Sequence, residues 1–193
     1  MIKLIITTVT LLLFCNLLNG QSIFSQVSYN GSTTDYLEEE TSIININNEL
    51  VSIGAIQQNG IYNAYIAKYD LDGNFITGEL YEAVTGTGHF RFSSIDEYPN
   101  GDYLVGGNFS QNKFVAMRLD ANGNLIWSKT LSNTDLISSL NRSKEGLLID
   151  GTNAFVGFSS INATASSSRL NLLKLDSNGD TLWTTKANFG LTQ

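Results

Sequence analysis

The sequence predicts an all-β fold made of repeated four-stranded antiparallel sheets, and three observations carry that reading. Three segments, 67–74, 117–124 and 173–180, each place a basic residue, an apolar or aromatic one, an Asp, and then Asp-Gly or Asn-Gly. The leading Asp recurs after 50 residues, from Asp70 to Asp120, and after 56 more at Asp176. A short apolar run ending on Gly54, Gly106 or Gly157 precedes each segment, at spacings of 52 and 51. Past residue 20 no stripe of helix formers recurs every 3.6 residues, so short strands and tight turns remain.

In chain order, residues 1–20 read as an export signal. Lys3 supplies the positive start, Leu4–Leu18 is a mostly apolar run, and Leu18-Asn19-Gly20 places a small residue before the expected cut at Gln21. That run is shorter than the ~20 residues a spanning helix needs, so no membrane span is expected after cleavage. Cys15 lies inside the run with Phe14 before it, where a bacterial lipobox needs Gly or Ala. Ile23–Ser28 is similar to Ile126–Leu131 and is expected to be an orphan fourth strand. The acidic stretch Asp35–Glu40 is expected to be a solvated connector rather than a cation chelator.

Three repeats follow, at about 42–81, 91–131 and 145–186. Their first strands are expected at Ser42–Ile46, Phe92–Tyr98 and Gly146–Ile149, and their second at Glu49–Gly54, Asp102–Gly106 and Asn153–Gly157. The pairs Asn47-Asn48, Asn100-Gly101 and Asp150-Gly151 separate first strands from second. Such pairs, like the Asp-Gly and Asn-Gly that follow the third strands, tolerate the positive φ of type I′ hairpin turns. Third and fourth strands such as Lys113–Leu119 and Leu125–Leu131 are rich in apolar and aromatic residues, and Ala163–Ser168 reads as a longer loop in the third repeat. Four strands in roughly 50 residues is the size of one propeller blade. The expected architecture is therefore a β-propeller-like array of three complete blades plus the orphan strand, occupying 21–193. Three blades fall below the usual minimum of about four. The expectation is an incomplete ring, the N-terminal part of a longer propeller, with ring completion by a symmetric oligomer as the rival.

Composition narrows the function. The chain has 11 Lys and Arg against 18 Asp and Glu, net −7, and removing Lys3 with the signal leaves net −8. Phosphate backbones are met by clustered Lys and Arg, so a nucleic-acid partner is not expected. One His and one Cys exclude a disulfide scaffold and a Cys/His zinc framework. The missing charge is replaced by 21 Asn, 20 Ser and 17 Thr, which suit turns and polar strand faces.

The pattern Asp120-x-x-Gly123-Asn124-x-x-Trp127, after a basic strand and a Gly-ended strand, resembles the blades of secreted bacterial β-propeller repeat proteins. Many of these carry a type IX secretion sorting domain, and the blades are also similar to those of quinoprotein-like propellers. The resemblance covers about 42–186 and implies a secreted or cell-surface protein. Asp70-x-Asp72-Gly73-Asn74 is out of register for a calcium loop, which needs Gly at position 6 and Glu at 12, so a hairpin turn is expected there. His89 sits after Thr85-Gly86-Thr87-Gly88 without a Gly-x-Ser-x-Gly elbow or a phosphate loop, and is expected to be an exposed or hydrogen-bonded loop residue. Trp127 and Trp183 occupy one repeat position and are expected to pack between blades rather than stack on sugars. The four sequons, at Asn30, Asn108, Asn141 and Asn162, are no more than this composition gives by chance.

No catalytic, cofactor-binding or metal-ligating residue is assigned. The sequence reads as a binding scaffold for a protein or glycan, with self-association through unpaired blade edges. The alternative is a fragment of a propeller enzyme, a quinoprotein-like oxidoreductase or a glycan-acting hydrolase.

Overall fold

The computed structural model describes residues 36–82, 89–109, 113–132, 146–162 and 167–190. They form three four-stranded antiparallel sheets, each a meander of consecutive strands. Repeat 1 contains β1 (Tyr36–Ile44), β2 (Leu50–Gln58), β3 (Ile61–Tyr69) and β4 (Phe75–Tyr81). Repeat 2 contains β5 (Phe90–Glu97), β6 (Tyr103–Phe109), β7 (Lys113–Leu119) and β8 (Leu125–Ser132). Repeat 3 contains β9 (Gly146–Asp150), β10 (Asn153–Asn162), β11 (Ser167–Leu175) and β12 (Thr181–Gly190). The export signal and the Ile23–Ser28 strand lie outside the described residues.

The all-β array of four-stranded repeats is thus as expected, but two local readings need correction. Tyr36–Glu40 is not a connector. It is the first half of β1, paired with β2 from Tyr36↔Gln57, with a bulge between Glu39 and Thr41. The acidic run hid the strand because β2 supplies a full row of backbone partners, which outweighs local polarity. The second correction concerns the turns. After β3, β7 and β11 only Gly73, Gly123 and Gly179 have positive φ, whereas a type I′ turn needs two such residues in succession. Each is instead a type I turn closed by a glycine bulge. Gly73 N donates to Asp70 O at 3.0 Å, and Asp70 N to Asn74 O at 2.9 Å. The same bonds recur at 120–124 and 176–180.

The leading Asp reinforces this turn. Asp70 Oδ1 accepts from the backbone N–H groups of Asp72 and Asn74, at 3.0 and 2.8 Å, and Oδ2 accepts from Asn74 Nδ2 at 2.8 Å. Asp120 makes the same three bonds with Asn122 and Asn124. The carboxylates are thereby engaged by the turn itself. The type I′ pattern does occur at Asn59-Gly60, between β2 and β3, with φ of 51° and 80°.

Each turn also sets a bulge at the start of the fourth strand, opposite Lys68/Tyr69, Arg118/Leu119 and Lys174/Leu175. The bulge shifts the alternation by one residue, so Thr77, Trp127 and Trp183 stand directly across from Lys68, Arg118 and Lys174.

The sheets stack face to face, repeat 1 on repeat 2 and repeat 2 on repeat 3. Val51, Ile53, Ala64 and Ile66 of repeat 1 meet Phe92, Tyr103, Val105 and Met117 of repeat 2. Leu104, Phe114 and Ala116 of repeat 2 meet Ala154, Val156, Leu173 and Leu175 of repeat 3. The two inner strands of repeat 2, β6 and β7, are therefore buried on both faces over most of their length, as in any sheet covered on two sides. First strands contact one another, β1 with β5 and β5 with β9, while β4 and β12 are largely exposed. Among the described residues the stack does not close into a ring.

The turn geometry makes a prediction about pH. The side-chain amides of Asn74 and Asn124, with help from turn N–H groups, hold the Asp70 and Asp120 carboxyls below their ordinary value of 3.8. A depressed folded pKa stabilises the fold above the unfolded value and loses that contribution as pH falls through the folded one. Carboxyl NMR titration is expected to place both midpoints below 3.8, and Asn74→Ala to raise that of Asp70 alone.

Candidate functional site

The row of strands has two ends. One carries the turns after first and third strands; the other carries the connections after second and fourth strands. The turn end is occupied by a repeated clamp between neighbours. Lys68 Nζ, on β3, donates to the backbone carbonyl of Ala121 in the next repeat's turn. Arg118 Nη1, the counterpart on β7, donates to the Ser177 carbonyl at 3.0 Å. Ala121 and Ser177 both follow the turn Asp by one residue. Each cation is also held by an acid from the second strand's start. Lys68 Nζ lies 3.6 Å from Glu49 Oε2. Arg118 Nε and Nη2 donate to Asp102 Oδ2 at 2.9 and 2.7 Å.

The fourth strand adds a second bond to each turn. Tyr81 Oη donates to the Gly123 carbonyl at 2.5 Å, and Lys129 Nζ to that of Gly179 at 2.9 Å. Burial, followed by the charges of Glu79 and Asp120, raises the Tyr81 hydroxyl far above its usual pKa, so it stays a donor. Trp127 Nε1 donates to the Ser177 carbonyl at 3.0 Å. A Cβ built on Gly179 would come within 2.8 Å of the Trp127 ring, so this close approach requires glycine as well as the positive φ of 82°. Trp127 therefore packs between repeats, whereas Trp183 is 41% exposed and touches Phe155 of its own sheet edge-on, with ring centroids 6.0 Å apart.

The other end gathers a different group. His89 is exposed, as the sequence implied, and its Nδ1 accepts the Tyr62 backbone N–H at 3.3 Å. The Tyr62 and His89 rings meet edge-on at 5.3 Å. The Arg91 guanidinium lies 3.5 Å from the Tyr62 ring centroid. Tyr62 belongs to repeat 1 and the other two to repeat 2, so the patch exists only once the sheets are stacked. Sequence reasoning found His89 but missed Tyr62 and Arg91. The signal was the Asn59-Gly60 hairpin, which fixes where Tyr62 emerges.

Among the described residues no three His, Cys, Asp or Glu side chains are grouped to hold a metal ion. Between repeats 2 and 3, Thr130, Leu131, Phe158, Asn171 and Lys186 line an open cleft of about 350 Å³. Among the described residues that line it, Lys186 is the charged one.

Comparison with known proteins assigns the chain to no family. No protein-family model matches the chain. No curated protein matches it either. A crystal structure of a protein of unknown function from Bacteroides caccae is a distant structural match. It has a TM-score of 0.39 and 15% identity, and the match covers 81% of this chain and 69% of that one.

The clamp predicts unequal costs for similar substitutions. Arg118→Ala leaves a largely buried Asp102 without its cation, and the Ser177 carbonyl with Trp127 Nε1 in place of two donors, and is expected to cost about 3 kcal/mol. Arg118→Lys, which restores the arrangement of repeat 1, is expected to cost about 1 kcal/mol. Trp127→Ala is expected to cost about 2–3 kcal/mol and Trp183→Ala about 0.5 or less, read by urea denaturation of dilute protein.

Proposed function

We propose that this chain is a secreted or cell-surface β-propeller-type repeat protein whose role is binding, with a protein or glycan as its ligand. The observation that carries this reading is the patch of Tyr62, His89 and Arg91 at the end where the longer connections gather. Tyrosine and arginine are the residues that most often dominate recognition surfaces, because each offers a large rigid contact area and directional hydrogen bonding. Connections held by a rigid scaffold are also where binding residues concentrate. The stacked sheets supply that scaffold, and the patch spans two of them. The export signal read at 1–20 supports an extracellular setting, and the acidic, cysteine-free remainder of the chain is consistent with it.

The test is a binding survey of the purified chain against a glycan array and against extracellular proteins of the producing cell. Tyr62→Ala and His89→Ala are expected to weaken the captured ligand at least about tenfold while leaving the melting profile intact. Capture unaffected by both substitutions, or turnover of a bound substrate, would overturn the binding reading.

A further inference from the structure

Among the described residues the clamp leaves one donor set and one turn unused, and their positions match. The face that repeat 3 turns away from repeat 2 corresponds, residue by residue, to the faces by which repeats 1 and 2 hold their successors. Strand pairing aligns Leu148 with Ile43, Leu170 with Ala64 and Phe114, and Trp183 with Trp127. Ala64 and Phe114 are 0% and 4% exposed, whereas Leu170 is 45%, Leu148 60% and Trp183 41% exposed. Lys174 stands where Lys68 and Arg118 stand. Among the described residues it meets only the Phe155 ring, 5.1 Å away, and no turn carbonyl.

The unused acceptor is the Asp70–Asn74 turn of repeat 1. No described residue donates to its Leu71 or Gly73 carbonyl, the counterparts of those clamped in repeats 2 and 3. Gly123 and Gly179 are buried under their neighbours, while Gly73 is only half-buried. The same end of this face is open nearby. Ile44 is 64% exposed, and Leu50 and Tyr69 are half-buried where Tyr103, Ala154, Leu119 and Leu175 are fully enclosed.

Charge selects which turn fits which face. Lys68 and Arg118 each have an acid from their own second strand, Glu49 and Asp102, and face turns whose third residue is neutral, Asn122 and Asn178. In repeat 3 the acid's position holds Asn153, so Lys174 lacks it. In repeat 1 the turn's third residue is Asp72, whose carboxylate has no described partner. The carboxylate absent from one open face is present on the other.

We propose that the open face of repeat 3 docks the Asp70–Asn74 turn end of repeat 1 from a second copy of this chain, head to tail. Lys174 and Trp183 donate to the Leu71 carbonyl, as Arg118 and Trp127 do to Ser177, and Asp72 supplies the counter-charge to Lys174. Two copies bring together six sheets, within the range of about four to eight at which such stacks close. A contact of this heterologous kind, made twice, yields a closed pair.

Sedimentation of the purified full chain from ~1 to ~100 μM tests this. The wild type is expected to form dimers. The double variant Lys174→Glu/Trp183→Ala is expected to remain monomeric, as is Ile44→Glu, each with an unchanged circular dichroism spectrum. Because each variant keeps the other's lost face, an equimolar mixture is expected to regain association. Leu148→Glu, at another exposed position, serves if the double variant fails to fold. A wild type that stays monomeric at ~100 μM, variants that associate as it does, or a mixture that fails to pair would each overturn the proposal. Failure here leaves the Tyr62–His89–Arg91 binding result unaffected, since that patch lies at the opposite end of the strands.

Discussion

The hydrogen bonds from one sheet's cation to the next sheet's turn carbonyl are the constraint around which this molecule is arranged. Face-to-face burial of Val, Leu and Phe is non-directional and would tolerate sliding of one sheet over another. A guanidinium fixed by Asp102 at one side and Ser177 at the other does not tolerate it. The turn can serve as a target because the Asp carboxylate has already satisfied its inward N–H groups, which leaves the carbonyls of Ala121, Gly123, Ser177 and Gly179 pointing outward. Local turn chemistry and the spacing between sheets are therefore one problem, solved by the same five-residue turn in repeats 2 and 3.

That dependence explains how much could be read from the chain alone. The Asp-x-x-Gly spacing revealed the repeat and the turns between third and fourth strands, since these rest on local φ preferences and apolar runs, whereas the Asn59-Gly60 hairpin went unread. The turn type was less legible. Asn-Gly is compatible with both a type I′ turn and a glycine bulge. In the turns after third strands the Asp three residues before the Gly supports the bulge by bonding to the backbone after it, and Asn100-Gly101 adopts the same bulge with Tyr98 in that place. Tyr36–Glu40 escaped notice because strand pairing with Ile56 and Gln57 is a non-local term. The patch of Tyr62, His89 and Arg91 was legible only as His89; Arg91 and Tyr62 come together through stacking of two sheets, which no local pattern encodes. The tryptophans show the same limit. Trp127 and Trp183 are equivalent in sequence, and one packs between repeats while the other is exposed because only one has a successor among the described sheets.

Tyr98 shows how tightly the stack is drawn. Its ring lies under the Arg118 guanidinium at 4.2 Å, and its hydroxyl is buried without a partner among the described residues. Burial pushes that hydroxyl's pKa upward despite the nearby cation. The cost of an unpaired buried hydroxyl is about 1–3 kcal/mol, accepted here where the ring braces the cation that clamps repeat 3.

The bulge at the start of each fourth strand has a consequence for how such an array can enlarge. It interrupts the row of backbone donors and acceptors on the outermost strand at the same place three times, beside Ile76, Ile126 and Leu182. A broken row is a poor template for an added strand. Lateral widening of a sheet is thereby discouraged, while stacking of one whole sheet on the next needs an apolar face, a cation and a turn. Lengthening by duplication of a roughly 50-residue unit is the route this geometry leaves open.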